Sequence, residues 1–263
     1  MLCAPAFRRL PCLLFASAVL LAAAVLGSFP SGAAADIIGD NCVTFTATGT
    51  VSGSIRTGSA EFTIPAGGYL LYTQPLSDAC EILDSDGHCL GRVTLVEYES
   101  IGDPAVRLRF DVVAGASDTT FLITSPTVGF SPIVNPSAYA QASMTVTAGD
   151  TAATATGLEA GTKSFKASYT NISNSTTGWA YLLNPLTAVA EGGADSGDRR
   201  PTTAPNYETI PATVKSISAE YSFTLTAENE ASGTSRFEVL PEPATLGLMA
   251  LGAVVLAARR RRN

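Results

Sequence analysis

The sequence predicts an all-β protein: a single β-sandwich over residues 36–238, flanked by two apolar terminal segments. Three observations carry this. Apolar and aromatic residues alternate with Ser and Thr at period two, the spacing that puts one face of a strand in a core. Gly, Pro, Asn and Asp clusters break the chain about every ten residues. Apolar positions at helical spacing are nearly absent from the interior. Many short strands at such intervals fit a sandwich of jelly-roll or immunoglobulin-like topology.

The strands are expected in order at 42–48, 60–64, 69–73, 92–98, 106–113, 119–124, 142–147, 163–170, 178–183 and 214–227. In the last of these Tyr221, Phe223, Leu225 and Ala227 alternate with Ser222, Thr224 and Thr226. Turn residues separate them at Pro65-Ala66-Gly67-Gly68, Gly102-Asp103-Pro104, 114–118 and Ala148-Gly149-Asp150. Two stretches interrupt the alternation. Residues 125–139 hold Pro126, Pro132 and Pro136 and read as a crossover loop. Residues 190–211 combine Gly192-Gly193, Asp195, Gly197, Asp198 and three prolines, and read as a mobile loop or a boundary between subdomains.

The whole chain has 263 residues, 46% hydrophobic and 15% charged, with a formal net charge of −7. That charge argues against a nucleic-acid partner, which requires a basic face. The positive charge also lies at the ends: Arg8 and Arg9 precede one apolar run, and Arg259, Arg260, Arg261 and Arg262 follow the other. Without 1–35 and 244–263 the remainder carries ten basic and 23 acidic residues, a net of −13. Residues 1–35 have the form of a secretory signal peptide: a basic start, an apolar middle, and Ala33 and Ala35 placed for signal peptidase to cut before Asp36.

The other end, 239–263, is more specific. Pro241-Glu242-Pro243 precedes fifteen residues without charge, Ala244 to Ala258, and then the four Arg. The prolines remove backbone donors and hold the chain extended. Fifteen helical residues would span roughly 22 Å, short of a hydrocarbon core of about 30 Å, and arginines that reach the headgroups offset part of the mismatch. Four Arg fix that end on the cytoplasmic side, as a stop-transfer signal does. The expectation is therefore a C-terminal apolar helix, a weak single span holding the domain outside. In motif, spacing and order, Pro241 to Arg262 resembles the PEP-CTERM family of bacterial surface proteins. That resemblance implies processing by exosortase, an integral-membrane cysteine transpeptidase-like enzyme, in Gram-negative bacteria that make exopolysaccharide and form biofilms. The same tail has also been labelled an ice-binding-protein C-terminal domain, a label that describes the tail and not the interior. The resemblance says nothing about residues 36–238.

In the interior the candidates for chemistry are few. Cys80 and Cys89 enclose eight residues and are the favoured disulfide pair of an exported protein, with Cys42 left over. Between them, Asp84-Ser85-Asp86-Gly87 opens like a calcium loop, but position twelve is Leu95, which supplies no carboxylate; a plain acidic turn is the other reading. No other cofactor is expected. His88, the sole histidine, has no nucleophile signature beside it. Glu97 and Glu99 share a strand face, and paired carboxylates would suit a hydrolase of matrix polysaccharide. The single Trp, Trp179, sits two residues from Tyr181, which on a regular strand gives one face; it reads either as core or as part of a glycan-stacking platform. Absent any catalytic signature, the expectation is a non-enzymatic surface or exopolysaccharide-matrix protein, with a glycan-binding module as the alternative.

Overall fold

The computed structural model describes residues 36–101, 104–149, 151–188, 193–199 and 207–241. The expected signal peptide with Ala33 and Ala35, the expected C-terminal helix, and Glu242, Pro243, Arg259, Arg260, Arg261 and Arg262 lie outside these residues.

The described residues form strands β1 (Asp36–Ile38), β2 (Cys42–Val51), β3 (Ser54–Thr63), β4 (Tyr69–Thr73), β5 (Cys80–Leu83), β6 (Cys89–Ile101), β7 (Ala105–Ala114), β8 (Thr119–Thr124), β9 (Thr127–Val134), β10 (Ser137–Thr147), β11 (Ala153–Gly157), β12 (Phe165–Asn171), β13 (Thr176–Leu182), β14 (Leu186–Ala188), β15 (Gly193–Arg199), β16 (Glu208–Thr209), β17 (Thr213–Leu225) and β18 (Glu230–Leu240). A single turn of 3-10 helix spans Leu76–Asp78, and no α-helix occurs among the described residues. None of their helices is long and apolar enough to cross a membrane. The fold is all-β, as the alternation requires.

Two antiparallel sheets hold these strands. The first runs β1-β9-β17-β8-β2-β3, with β11 and β12 also on β17, β13 on β12 and β14 on β11. The second runs β15-β10-β18-β7-β6-β4, with β5 beside β6 and β16 beside β10. Their inner faces meet through aromatic rings. Phe110 of β7 lies 4.8 Å from Tyr221 and 6.1 Å from Phe223, both on β17. Tyr221 then crosses the layer, its hydroxyl donating to the Thr234 carbonyl of β18 at 2.6 Å. Burial raises the Tyr221 phenol far above its usual range, with Ser235 beside it opposing the rise. Glycines make room for the rings: a Cβ on Gly233 would meet Phe110 at 2.4 Å, and one on Gly91 would meet Phe121 at 2.9 Å.

The threonine content is explained by the outer face of the first sheet. Thr57, Thr48, Thr120, Thr224 and Thr156 sit in one cross-strand row through β3, β2, β8, β17 and β11. Hydroxyls pair at 3.0 Å between Thr48 and Thr57 and at 2.8 Å between Thr120 and Thr224. β-branched side chains pack on a pleated surface while their hydroxyls bond across it.

Two expectations are corrected, and one strand, β18, is added. Residues 125–139 are not a crossover loop but contain β9 and the start of β10. Pro132 is accommodated because the β9–β17 register breaks between Val214 and Ser216, so no ladder bond is asked of its nitrogen. Within 190–211, Gly193–Arg199 forms an edge strand along β10 and Glu208–Thr209 pairs with its start. Backbone pairing at an edge does not need an apolar pattern, so composition concealed it. β18 escaped the alternation because its inward positions include Ala231, Gly233 and Ser235, too small to register as hydrophobic.

Candidate functional site

The C-terminal junction is built on β18, an interior strand between β10 and β7. Its last residues are fully engaged: Val239 pairs with Ala138, Leu240 pairs with Ser137, and the Val239 N–H donates to the Pro104 carbonyl at 2.9 Å. Beside them Glu238, 5% exposed, accepts from the Tyr207 hydroxyl and pairs with Arg236. The bond to Glu238, followed by burial, pushes the Tyr207 phenol up to about 12. The chain leaves the sheet at exposed Pro241.

The outer face of the second sheet is the other polar concentration. On neighbouring β6 and β7, Glu99 pairs with Arg107 at 2.8 Å and Glu97 with Arg109 at 3.9 Å. These four, with Thr234, line a cleft of about 210 Å³. An adjoining cleft of the same size is lined by Gln141, Ser143, Thr234 and Arg236. Ser143 and Thr234 share a hydroxyl bond of 2.6 Å between them. Guanidinium–carboxylate pairs on a flat strand face present donors and acceptors side by side, the chemistry that recognises vicinal hydroxyls. The expected juxtaposition of Glu97 and Glu99 is thus present, each with its own arginine.

Asp84, Asp86 and His88 come together in the β5–β6 turn, their ligand atoms within 4.8 Å of one another. Three of the four carboxylate oxygens are already engaged. Asp84 Oδ1 accepts the Asp86 and His88 N–H groups at 2.8 and 2.9 Å, and its Oδ2 lies 3.0 Å from His88 Nδ1. Asp86 pairs with Arg56 of β3 at 2.8 Å. The His88 N–H foremost, with the Asp86 N–H and the His88 ring, holds the Asp84 carboxyl below its usual range against the opposing effect of burial. Gly87, at φ +83°, closes the turn.

The expected Cys80–Cys89 disulfide is not formed; Cys42, Cys80 and Cys89 are all free. Register is the reason. Cys80 faces Val93 and Cys89 faces Leu83, so the two cysteines stand three residues apart along the hairpin. At about 3.3 Å per residue that offset is near 10 Å, beyond the Cα separation of about 4.4–6.8 Å that a disulfide tolerates.

Of the two readings of Trp179 the core one holds, and only the face it was expected to share with Tyr181 is corrected. β12 pairs Ala167 with Ala180 and Ser168 with Gly178, leaving Trp179 as the extra residue of a bulge. Trp179 turns inward, 5% exposed, and stacks on Phe237 at 5.6 Å, whereas Tyr181 is exposed. The Glu159–Lys166–Glu220 cluster was not foreseen. Lys166 Nζ lies 2.6 Å from Glu220 and 3.3 Å from Glu159, joining β12 to β17 and to the turn before β12. No motif marks it, because its members meet only through strand pairing.

A search of curated proteins gives no match. Solved structures of infectious bursal disease virus show only a faint likeness. The Gx strain is 11% identical over 87% of this chain and 74% of that one, with a TM-score of 0.12. The VP2 subviral particle is 10% identical over the same shares, at 0.11. Likeness that low carries no argument. The family model for the PEP-CTERM protein-sorting motif matches residues 239–262, so the match begins inside β18 and continues through the Pro-Glu-Pro element and the arginines. Residues 239–262 are a PEP-CTERM protein-sorting motif, carried at the end of an interior strand of an antiparallel, two-sheet β domain.

Proposed function

We propose that this chain is an exported, exosortase-processed protein of a Gram-negative cell surface or exopolysaccharide matrix, structural or adhesive and not catalytic. The carrying observation is the sorting motif at 239–262 joined without a linker to β18. Every described strand pair ends at or before Leu240, so loss of the chain beyond Pro241 leaves the whole ladder in place. Signal peptidase cuts before Asp36, the tail holds the domain at the membrane, and exosortase releases or transfers it. A non-catalytic role is supported by the carboxylates of the clefts, each paired with an arginine, and by His88, committed to Asp84. Intact-mass analysis of the protein from strains with and without active exosortase tests this. The expected masses lack 1–35 in both strains and lack the arginine tail only where exosortase is active; an intact tail in the active strain overturns the proposal.

The second reading is glycan binding, favoured by the adjoining clefts on the outer face of the second sheet. In it Arg107, Arg109 and Gln141 meet the hydroxyls of matrix polysaccharide. Asp84 and Asp86 act as turn formers rather than calcium ligands. Titration calorimetry against purified exopolysaccharide, with and without chelator, decides it. Binding that chelator leaves unchanged and that Arg107→Ala weakens supports the reading, and absence of binding removes it.

A further inference from the structure

β4 stands at the edge of the second sheet, and among the described residues it pairs with β6 alone. Neighbouring β5, on the same side of β6, is covered: Gly58 of β3 packs so closely that a Cβ there would meet the Leu83 carbonyl at 2.1 Å. Among the described residues no strand pairs with the other edge of β4. Its strand, Tyr69-Leu70-Leu71-Tyr72-Thr73, has no charge, proline or bulge, the devices that usually blunt an edge. The Gln74 N–H bonds to Thr94 of β6, and the Gly68 carbonyl accepts from Ser100. Even-numbered positions therefore face β6, and the N–H and C=O groups of Tyr69, Leu71 and Thr73 face outward. Tyr69 and Leu71 are 48% and 53% exposed, while Tyr72 is anchored inward on Phe62 at 4.9 Å.

We propose that β4 is a self-association edge: a second copy of this chain adds its own β4 antiparallel, about a two-fold axis through Leu71. The outward groups set the register of such a pair. They are symmetric about Leu71, so antiparallel pairing sets Leu71 opposite Leu71 and Tyr69 opposite Thr73, and each outward N–H finds a carbonyl. Leu70 then stands opposite Tyr72 on the inner face. An uncharged strand meets its own copy without like-charge repulsion, and the isologous contact closes after two chains. The edge is short, so the contact is weak in dilute solution and is filled where chains are concentrated at one surface.

Disulfide trapping in the exported protein, with its other cysteines changed to serine, tests the register. Leu71 pairs with itself at a Cα separation of about 5.5 Å, within bonding range. Leu71→Cys is expected to cross-link to itself at least tenfold faster than Ile55→Cys, an exposed control on β3. Tyr69→Cys is expected to cross-link with Thr73→Cys chains and not with itself. Leu71→Lys in the otherwise native protein, with an unchanged circular dichroism spectrum, is expected to abolish concentration-dependent sedimentation up to about 1 mM. Equal rates for Leu71→Cys and Ile55→Cys, self-linking of Tyr69→Cys, or a native protein monomeric at every concentration overturns the proposal.

Discussion

Replacement of Gly233 by Ala probes the layer between the sheets with a single methyl group. Gly233 lies in the middle of β18, and its φ is not positive, so an alanine backbone fits without strain. Space is the difficulty. The new Cβ would stand 2.4 Å from Phe110 Cε1, 2.5 Å from Cζ and 3.3 Å from Cδ1. Carbon atoms rest at about 3.5–4.0 Å, so the ring must withdraw by more than about 1 Å. Phe110 is fully buried and is held by Tyr221 at 4.8 Å and Phe223 at 6.1 Å, so the displacement propagates across both sheets. Overpacking of this kind costs about 1–3 kcal/mol, and at this size each kcal/mol lowers Tm by about 2–4 °C. Phe110→Leu removes the obstructing edge of the ring. The double variant is therefore expected to be more stable than the sum of the single effects allows, by about 0.5 kcal/mol or more. Urea and thermal unfolding of the four proteins, followed by circular dichroism, measures this. A Gly233→Ala protein within about 0.5 kcal/mol of the parent, or strict additivity with Phe110→Leu, would refute the packing described.

Trp179→Ala should cost about 3–5 kcal/mol in the same unfolding assay while leaving any polysaccharide affinity unchanged, because Trp179 stacks on Phe237 and faces no solvent. Burial first, then the bond and charge of Glu220, raise the Glu159 carboxyl above its ordinary range, with Lys166 opposing. The fold thus favours protonated Glu159, and that stability is present at low pH and lost as pH rises through the raised value. Glu159→Gln should gain on the parent as pH climbs above about 4.3, and thermal melts across that window show the trend or its absence. Asp84 is the opposite case: its stabilisation is present above about pH 3.9 and lost as pH falls through its lowered value. Asp84→Ala should lower Tm at neutral pH and converge with the parent in strong acid. Alkylation of the exported protein should label Cys42, Cys80 and Cys89 without prior reduction; recovery of a linked Cys80–Cys89 peptide would contradict the β5–β6 register.

The sequence by itself determined the features encoded locally. Alternation in Thr119–Thr124 and in Thr213–Leu225 marks strands because a period of two is a property of the extended backbone alone. Pro65-Ala66-Gly67-Gly68 marks a turn because Gly67 and Gly68 take positive φ. The sorting motif is legible because it is a contiguous string whose order of prolines, apolar residues and arginines is itself the signal. Tertiary structure alone decided whatever depends on which residue stands opposite which. One extra residue in β13 turned Trp179 inward and parted it from Tyr181. The pairing of β5 with β6 put Cys80 and Cys89 out of bonding range although eight residues separate them in sequence. Glu159, Lys166 and Glu220 became neighbours only when β12 lay beside β17. The physical reason is common to all three: strand propensity and turn chemistry act over a few residues, whereas register is fixed by packing between segments far apart in the chain.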